Sequence, residues 1–286
     1  MKKLGALLLL ILLFSSCGTV IEPEITTAAT TTTAASIATI EPSSTATTAG
    51  TTPVTTSTKA IPSTTTTTKP ASGTNTPGSA YGYNYPGITP AVATVPPDPY
   101  LICVSRNYAL PANYEPALKV CVETYPEKIQ METTAAAQYK KMYDAAKAAG
   151  AELIPYSGYR SIARQKSNFD RSIQRNVDRG HSYTEAVNIA AQSILPPGCS
   201  EHSAGLAMDI TRPGYWDTRV DFDTTKEFAW LTAHGHEYGF ILRYPKDKFA
   251  VTQITYEPWH WRYVGVGPAT AMKQSGQCLE EYLGLA

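Results

Sequence analysis

Ser200-Glu201-His202-Ser203-Ala204-Gly205-Leu206-Ala207-Met208-Asp209 is the stretch on which the reading of this chain turns. It sets an imidazole and a carboxylate seven residues apart. Leu206 to Ile210 reads as a short apolar strand. Asp209 therefore rides on a strand while His202 lies in the loop before it, with Gly205 permitting a sharp turn between them. Such a spacing arises often by chance, so its weight depends on what else the chain supplies.

Glu257-Pro258-Trp259-His260-Trp261-Arg262-Tyr263 supplies a second imidazole and a second carboxylate. Two histidines and one carboxylate suit a catalytic zinc, because three protein ligands leave the fourth position open for water. Glu257 is then spare, and a carboxylate beside such a water can take its proton. In a regular strand Glu257 and His260 face opposite sides, so sharing one site requires a turn or bulge near Pro258. A third segment, Ser157-Gly158-Tyr159-Arg160, puts an arginine on a turn after a predicted strand over Glu152 to Tyr156, with Gln165 five positions on. There it can clamp a carboxylate or oppose an oxyanion, or simply pair with a surface acid.

Outward from these segments the chain reads as helices and short strands without regular alternation, which favours an α+β layout. A helix is expected over Met131 to Ala149, stopped by Gly150, and another over Ile162 to Asp178. Ser182 with Glu185, and Thr224 with Glu227, are capping-box patterns at the heads of two more. Strands are expected at Phe240 to Arg243 and Trp259 to Val264, and a last helix from Pro268 to Tyr282. Glu201, beside His202 in an extended segment, is expected to face solvent.

The 286 residues carry 24 Lys+Arg and 24 Asp+Glu, and this balance gives no electrostatic reason to expect nucleic acid as a partner. Composition divides the chain. Lys2 and Lys3 precede an apolar run from Leu4 to Phe14, too short to span a bilayer, which ends in Ser15, Ser16 and Cys17. Residues 1–17 read as a secretory signal. Residues 18–97 are Thr-, Ser-, Ala- and Pro-rich, without an aromatic residue between Gly18 and Ala80, and read as a disordered tether with a Tyr/Gly/Pro-rich transition from Tyr81. Residues 98–286 form the one globular domain, expected to be a monomer. Its four cysteines, in an exported chain, suggest two disulfides, Cys103 with Cys121 and Cys199 with Cys278.

The motifs S-G-Y-R (Ser157 to Arg160), S-E-H-x-x-G-x-A-x-D (Ser200 to Asp209) and E-x-W-H (Glu257 to His260) together resemble the zinc D-alanyl-D-alanine carboxypeptidases of the vancomycin-resistance VanY type. The resemblance covers the chain from about Tyr100 onward. It implies the small antiparallel sheet with flanking helices that this family shares with the D-Ala-D-Ala dipeptidases and the hedgehog signalling domain. It also implies zinc on His202, Asp209 and His260, Glu257 as catalytic base, and Arg160 at the transition state or the substrate. By the same likeness Ser200, Gln165 and Tyr244 line a peptide pocket. The start of the chain in turn resembles the bacterial lipobox, which implies a lipidated Cys17 and an enzyme anchored outside the membrane.

The function expected from all this is removal of the terminal D-Ala from peptidoglycan stem peptides. Two rivals stand beside it: L,D-carboxypeptidase or endopeptidase action on the same peptides, and a zinc-containing wall-binding module without turnover. A spare Glu257 argues against the last, since binding alone does not need it.

Overall fold

The computed structural model describes residues 81–286. The signal segment, Cys17 and the tether as far as residue 80 lie outside the described residues. In chain order these carry β1 (Ala91–Val92), β2 (Tyr108–Ala109), β3 (Leu118–Val120), β4 (Gln130–Glu132), α1 (Thr133–Ala148), β5 (Ile154–Ser157), α2 (Ile162–Asp178) and α3 (Tyr183–Ala190). There follow β6 (Ala207–Thr211), α4 (Lys226–His234), β7 (Phe240–Leu242), α5 (Phe249–Thr252), β8 (His260–Tyr263), α6 (Val266–Ser275) and α7 (Leu279–Tyr282). The main sheet is antiparallel with strand order β5-β6-β8-β7, and β1-β2 and β3-β4 form two small ribbons. This is the α+β arrangement expected from the sequence.

Strand periodicity decides where the site can lie. On β6, Met208 and Ile210 enter the main core, as do Trp261 and Tyr263 on β8. The intervening residues, Ala207, Asp209, His260 and Arg262, therefore point to the opposite face. That face is also covered, so all five residues of β6 and all four of β8 are buried. One face of the sheet builds the hydrophobic core against α1, and the other receives the polar groups.

The helices follow local signals. Ser161 accepts from the Arg164 amide to start α2, and Ser182 and Glu185 form the reciprocal cap expected for α3, a device of about 1 kcal/mol. The cap of α4 falls one residue later than the sequence pattern suggests: Thr225, not Thr224, accepts from Phe228 N at 3.2 Å. The single last helix expected from the sequence is two. Glu281 takes the Cys278 amide at 2.8 Å and begins α7 afresh.

Two further expectations are corrected. The packed part of the chain starts before residue 98. Tyr85 and Ile88 are buried in a cluster with Phe169 and Ile173, the Tyr85 ring stands edge-on to Phe169 at 4.8 Å, and its hydroxyl donates to Asp170 at 2.8 Å. The aromatic residues from Tyr81 onward supply the apolar area that the Thr-rich stretch lacks. Cys103, Cys121, Cys199 and Cys278 are four buried free thiols, not two disulfides. The chain alternates so that Ile102 and Val104 share the main core with Cys121. Cys103 between them instead faces Arg243 and Glu280. Cys199 sits in a separate cluster with Leu195, Tyr244 and Ile254, whereas Cys278 caps α7. The members of each expected pair thus lie in different surroundings. No helix among the described residues is long and apolar enough to cross a membrane.

Candidate active site

Asp209 and His260 are direct partners across β6 and β8, so their side chains emerge side by side on the polar face. His202 reaches them from residues 201–205, a tight turn in which the Ser203, Ala204 and Gly205 amides bond to the carbonyls of Ser200, Glu201 and His202. Gly205 ends it with φ +72°, a left-handed conformation that lets the chain swing into β6. The imidazole edges meet at a ring separation of 4.9 Å and 88°. His202 Nε2 and His260 Nδ1 each lie 3.3 Å from Asp209 Oδ1.

These three atoms fit a small tetrahedral cation. Bonds of about 2 Å at tetrahedral angles put ligand atoms roughly 3.3 Å apart. One donor atom from each of the three residues lies within 4.8 Å of the others. His202 Nδ1 faces the Gly158 carbonyl at 2.8 Å, so it carries the hydrogen and leaves the Nε2 lone pair for a metal. Nε2 of His202 and Oδ1 of Asp209 are buried and have no hydrogen-bond partner among the described residues. Buried polar atoms left in this way cost about 1–3 kcal/mol each, and a cation would satisfy both.

The electrostatics agree. Burial pushes His202 down to about 4, helped by Arg160, so it is the neutral imidazole that a metal requires. Burial works against the Asp209 carboxylate, but His202 and His260 hold it well below the usual range. Burial also lowers His260, yet Asp209 and Glu201 outweigh it and raise the ring to about 9. A cation among the same groups would serve them as that proton does.

Glu257 reaches the site through the irregularity its spacing demands. Pro258 and Trp259 form a turn, closed by His260 N to Glu257 O at 3.1 Å and by the Trp261 indole to Pro258 O at 3.0 Å. The turn reverses the parity, and Glu257 Oε2 comes to 3.7 Å from His260 Nδ1. Burial raises its carboxyl to about 8, with the positive groups nearby opposing that shift.

Arg160 comes from the turn after β5. Its backbone amide bonds the His202 carbonyl at 3.1 Å, so the segments carrying Arg160 and His202 are joined directly. Burial lowers its guanidinium, an effect that Asp209 and Glu257 oppose, and its Nε has no hydrogen-bond partner among the described residues. Gly158 makes this junction possible. A Cβ there would stand 2.2 Å from the Gln130 carbonyl oxygen, on backbone that cannot yield cheaply. Gly158→Ala is expected to cost about 1–3 kcal/mol, read as a lower melting temperature, because β4 must move away.

All these groups open on one cavity of about 770 Å³, within the range of small-ligand sites. Ser200, Gln165 and Tyr244 line it as expected. Gln165 donates to Leu195 O at 2.6 Å, and its Oε1 is buried without a hydrogen-bond partner among the described residues. The Tyr244 ring lies 4.9 Å from that of His260. Trp259 joins the wall, whereas Trp261 is core.

Glu201 departs most from the sequence reading. It does not face solvent but is 1% exposed, between Arg243 and Arg262, and it meets His260 Nε2 at 3.3 Å. The sequence carried one signal for this. Arg262 shares strand parity with His260, so a buried His260 face implies a buried guanidinium in need of an acid.

The VanY D-alanyl-D-alanine carboxypeptidase family matches residues 128–266. A putative carboxypeptidase, YodJ of Bacillus subtilis (strain 168), is 40% identical over 193 residues, covering 65% of this chain and 67% of its own length. Among solved structures, a mutant of the vancomycin-resistance D,D-pentapeptidase VanY from a VanB-type cassette, in complex with Zn(II), matches 64% of this chain and 98% of its own at 35% identity and TM-score 0.56. The LD-carboxypeptidase LdcB matches 66% of this chain and 88% of its own at 38% identity and TM-score 0.57. The metal-fitting triad, the adjoining Glu257 and these likenesses lead to one conclusion: the chain belongs to the VanY family of D-alanyl-D-alanine carboxypeptidases.

Proposed function

We propose that this protein is a zinc-dependent D,D-carboxypeptidase that removes the terminal D-Ala from peptidoglycan stem peptides. The observation that carries the reading is the convergence of His202 Nε2, Asp209 Oδ1 and His260 Nδ1, with Glu257 beside them and outside the ligand set. The Zn(II) complex of the related VanY protein supports zinc as the ion. Held by those three residues, it would supply Lewis acidity toward the scissile carbonyl and acidify a water.

This chain's own groups do the rest. Glu257 takes the proton of the attacking water and delivers it to the departing D-Ala amine, a role open to a carboxylate that lines the cavity beside His260 and stands outside the ligand set. Arg160 faces the same space with an unpaired Nε–H and a buried positive charge. It holds the terminal carboxylate or the negative charge that develops on the carbonyl oxygen. Gln165 Oε1 is free to accept from the substrate, and Ser200 and Tyr244 shape the wall around it. The basic n-region, short apolar run and Cys17 support a lipid-anchored enzyme acting outside the membrane, on the tether that follows.

Mass spectrometry of defined tri-, tetra- and pentapeptide stems after incubation with the protein tests the activity. Loss of one alanine from the pentapeptide alone, abolished by a chelator and restored by zinc, is the expected result. Trimming of the tetrapeptide alone would instead place the chain with the LD-carboxypeptidase LdcB, to which it is equally similar. Peptides left intact with zinc present would make it a binding module.

A further inference from the structure

The last helix carries none of the motifs above, yet a continuous series of charge-assisted bonds joins it to a metal-fitting histidine. Glu280 on α7 accepts two bonds from Arg243, from Nη1 at 2.8 Å and from Nη2 at 2.6 Å. Arg243 Nε donates to Glu201 Oε1 at 2.7 Å. Arg262 Nη1 donates to the same oxygen, also at 2.7 Å, while its Nη2 is held by the carbonyls of Tyr100 and Ile102. Oε1 is thereby committed to two guanidiniums. The other oxygen, Oε2, is left facing His260 Nε2 at 3.3 Å. The side chains of this series are at most 8% exposed, and its two carboxylates balance its two guanidiniums.

We infer that Glu201 is a positioning residue that fixes His260 with Nε2–H toward itself and the Nδ1 lone pair toward the metal, and that α7 holds Glu201 in this role through Glu280 and Arg243. An imidazole in a ligand set can present either nitrogen, and the hydrogen-bond partner of the other one decides. A carboxylate pinned at one oxygen accepts only, so it admits one tautomer. Glutamine at the same position would keep its oxygen on the two arginines and turn its NH2 toward Nε2. That arrangement favours a hydrogen on Nδ1, where the metal must bind. The planar forks of Arg243 and Arg262 suit this geometry, because each reaches more than one oxygen at once. The C-terminal helix then belongs to the metal site without touching it.

The inference rests on the zinc reading, and its test separates the two. Zinc affinity is measured by chelator competition for the parent, Glu201→Gln, Glu280→Gln and the double variant, with metal-free melting temperatures recorded alongside. Glu201→Gln is expected to lose about 10–100-fold in zinc affinity, the usual cost of an outer partner of a ligating histidine. Glu280→Gln is expected to lose less, but at least about threefold. The double variant should bind no more weakly than Glu201→Gln, because both changes act through one carboxylate. A role confined to stability would lower the melting temperature and leave zinc affinity in place. Glu280→Gln losing less than threefold, or a double variant losing the product of the two single losses, overturns the inference. Should Glu201→Gln fail to fold, Glu280→Gln decides alone on the same threshold. A parent that binds no zinc overturns both the metallopeptidase reading and this one. A parent that binds zinc with variants that equal it overturns this one alone.

Discussion

Glu257→Gln is expected to lower kcat by about 10³-fold while zinc binding stays within twofold of the parent. Proton transfer by a positioned side chain contributes roughly 10²–10⁴-fold, and the upper part of that range applies where one group serves both the water and the leaving amine. Glutamine keeps the volume and the turn at Pro258 but cannot accept the proton. Because the loss falls in the transition state alone, kcat and kcat/KM should drop together with little change in KM. Stopped assays on the pentapeptide stem, with metal content measured on the same sample, check this. A variant that keeps more than a tenth of parental kcat removes Glu257 from the proton path. One that loses its zinc makes Glu257 a ligand instead.

His202→Ala should act the other way, removing metal and activity together. Its effect on zinc affinity should exceed the ~100-fold expected at most for an outer partner. The stability readout is more diagnostic. In the metal-free protein His202 Nε2 is a buried atom without a hydrogen-bond partner among the described residues, so its removal relieves a cost of about 1–3 kcal/mol. The cavity left behind and the lost Nδ1 bond to the Gly158 carbonyl together outweigh that gain. The metal-free variant should therefore melt somewhat below the metal-free parent. Added zinc should raise that of the parent as the logarithm of its concentration, and that of the variant hardly at all. Equal zinc-induced shifts would remove His202 from the ligand set.

How the chemistry of this chain could be read in advance depends on which residues carried it. The E-x-W-H segment announced its own irregularity, since a strand cannot bring Glu257 and His260 to one side, and the turn at Pro258 resolves it as parity required. Gly158 could be seen as a turn residue, but not as the position where two backbones nearly touch, because its neighbour Gln130 comes from a different ribbon. Glu201 was misplaced for a related reason. The extended segment expected around it suggested solvent, whereas it lies in a tight turn and its partners stand 42, 61 and 59 positions away. The expected disulfides failed on the same ground: spacing along the chain says nothing of which surroundings a thiol enters, and Cys121 joins the main core while Cys103 faces Arg243 and Glu280.

Residue types, their order, and the reciprocal cap that begins α3 were legible along the chain, because these rest on interactions within a few residues of one another. So was the choice of His202, Asp209, His260 and Glu257 as the groups to watch, since few chemistries use two imidazoles, an acid and a spare carboxylate. Assembly of the fold was needed to settle which nitrogen of each ring faces the shared point, which oxygen of Glu201 remains for His260, and that α7 closes the series. Hydrogen-bond direction depends on angles and on distances of a few ångströms between segments that meet only when the sheet is assembled. No local pattern encodes them.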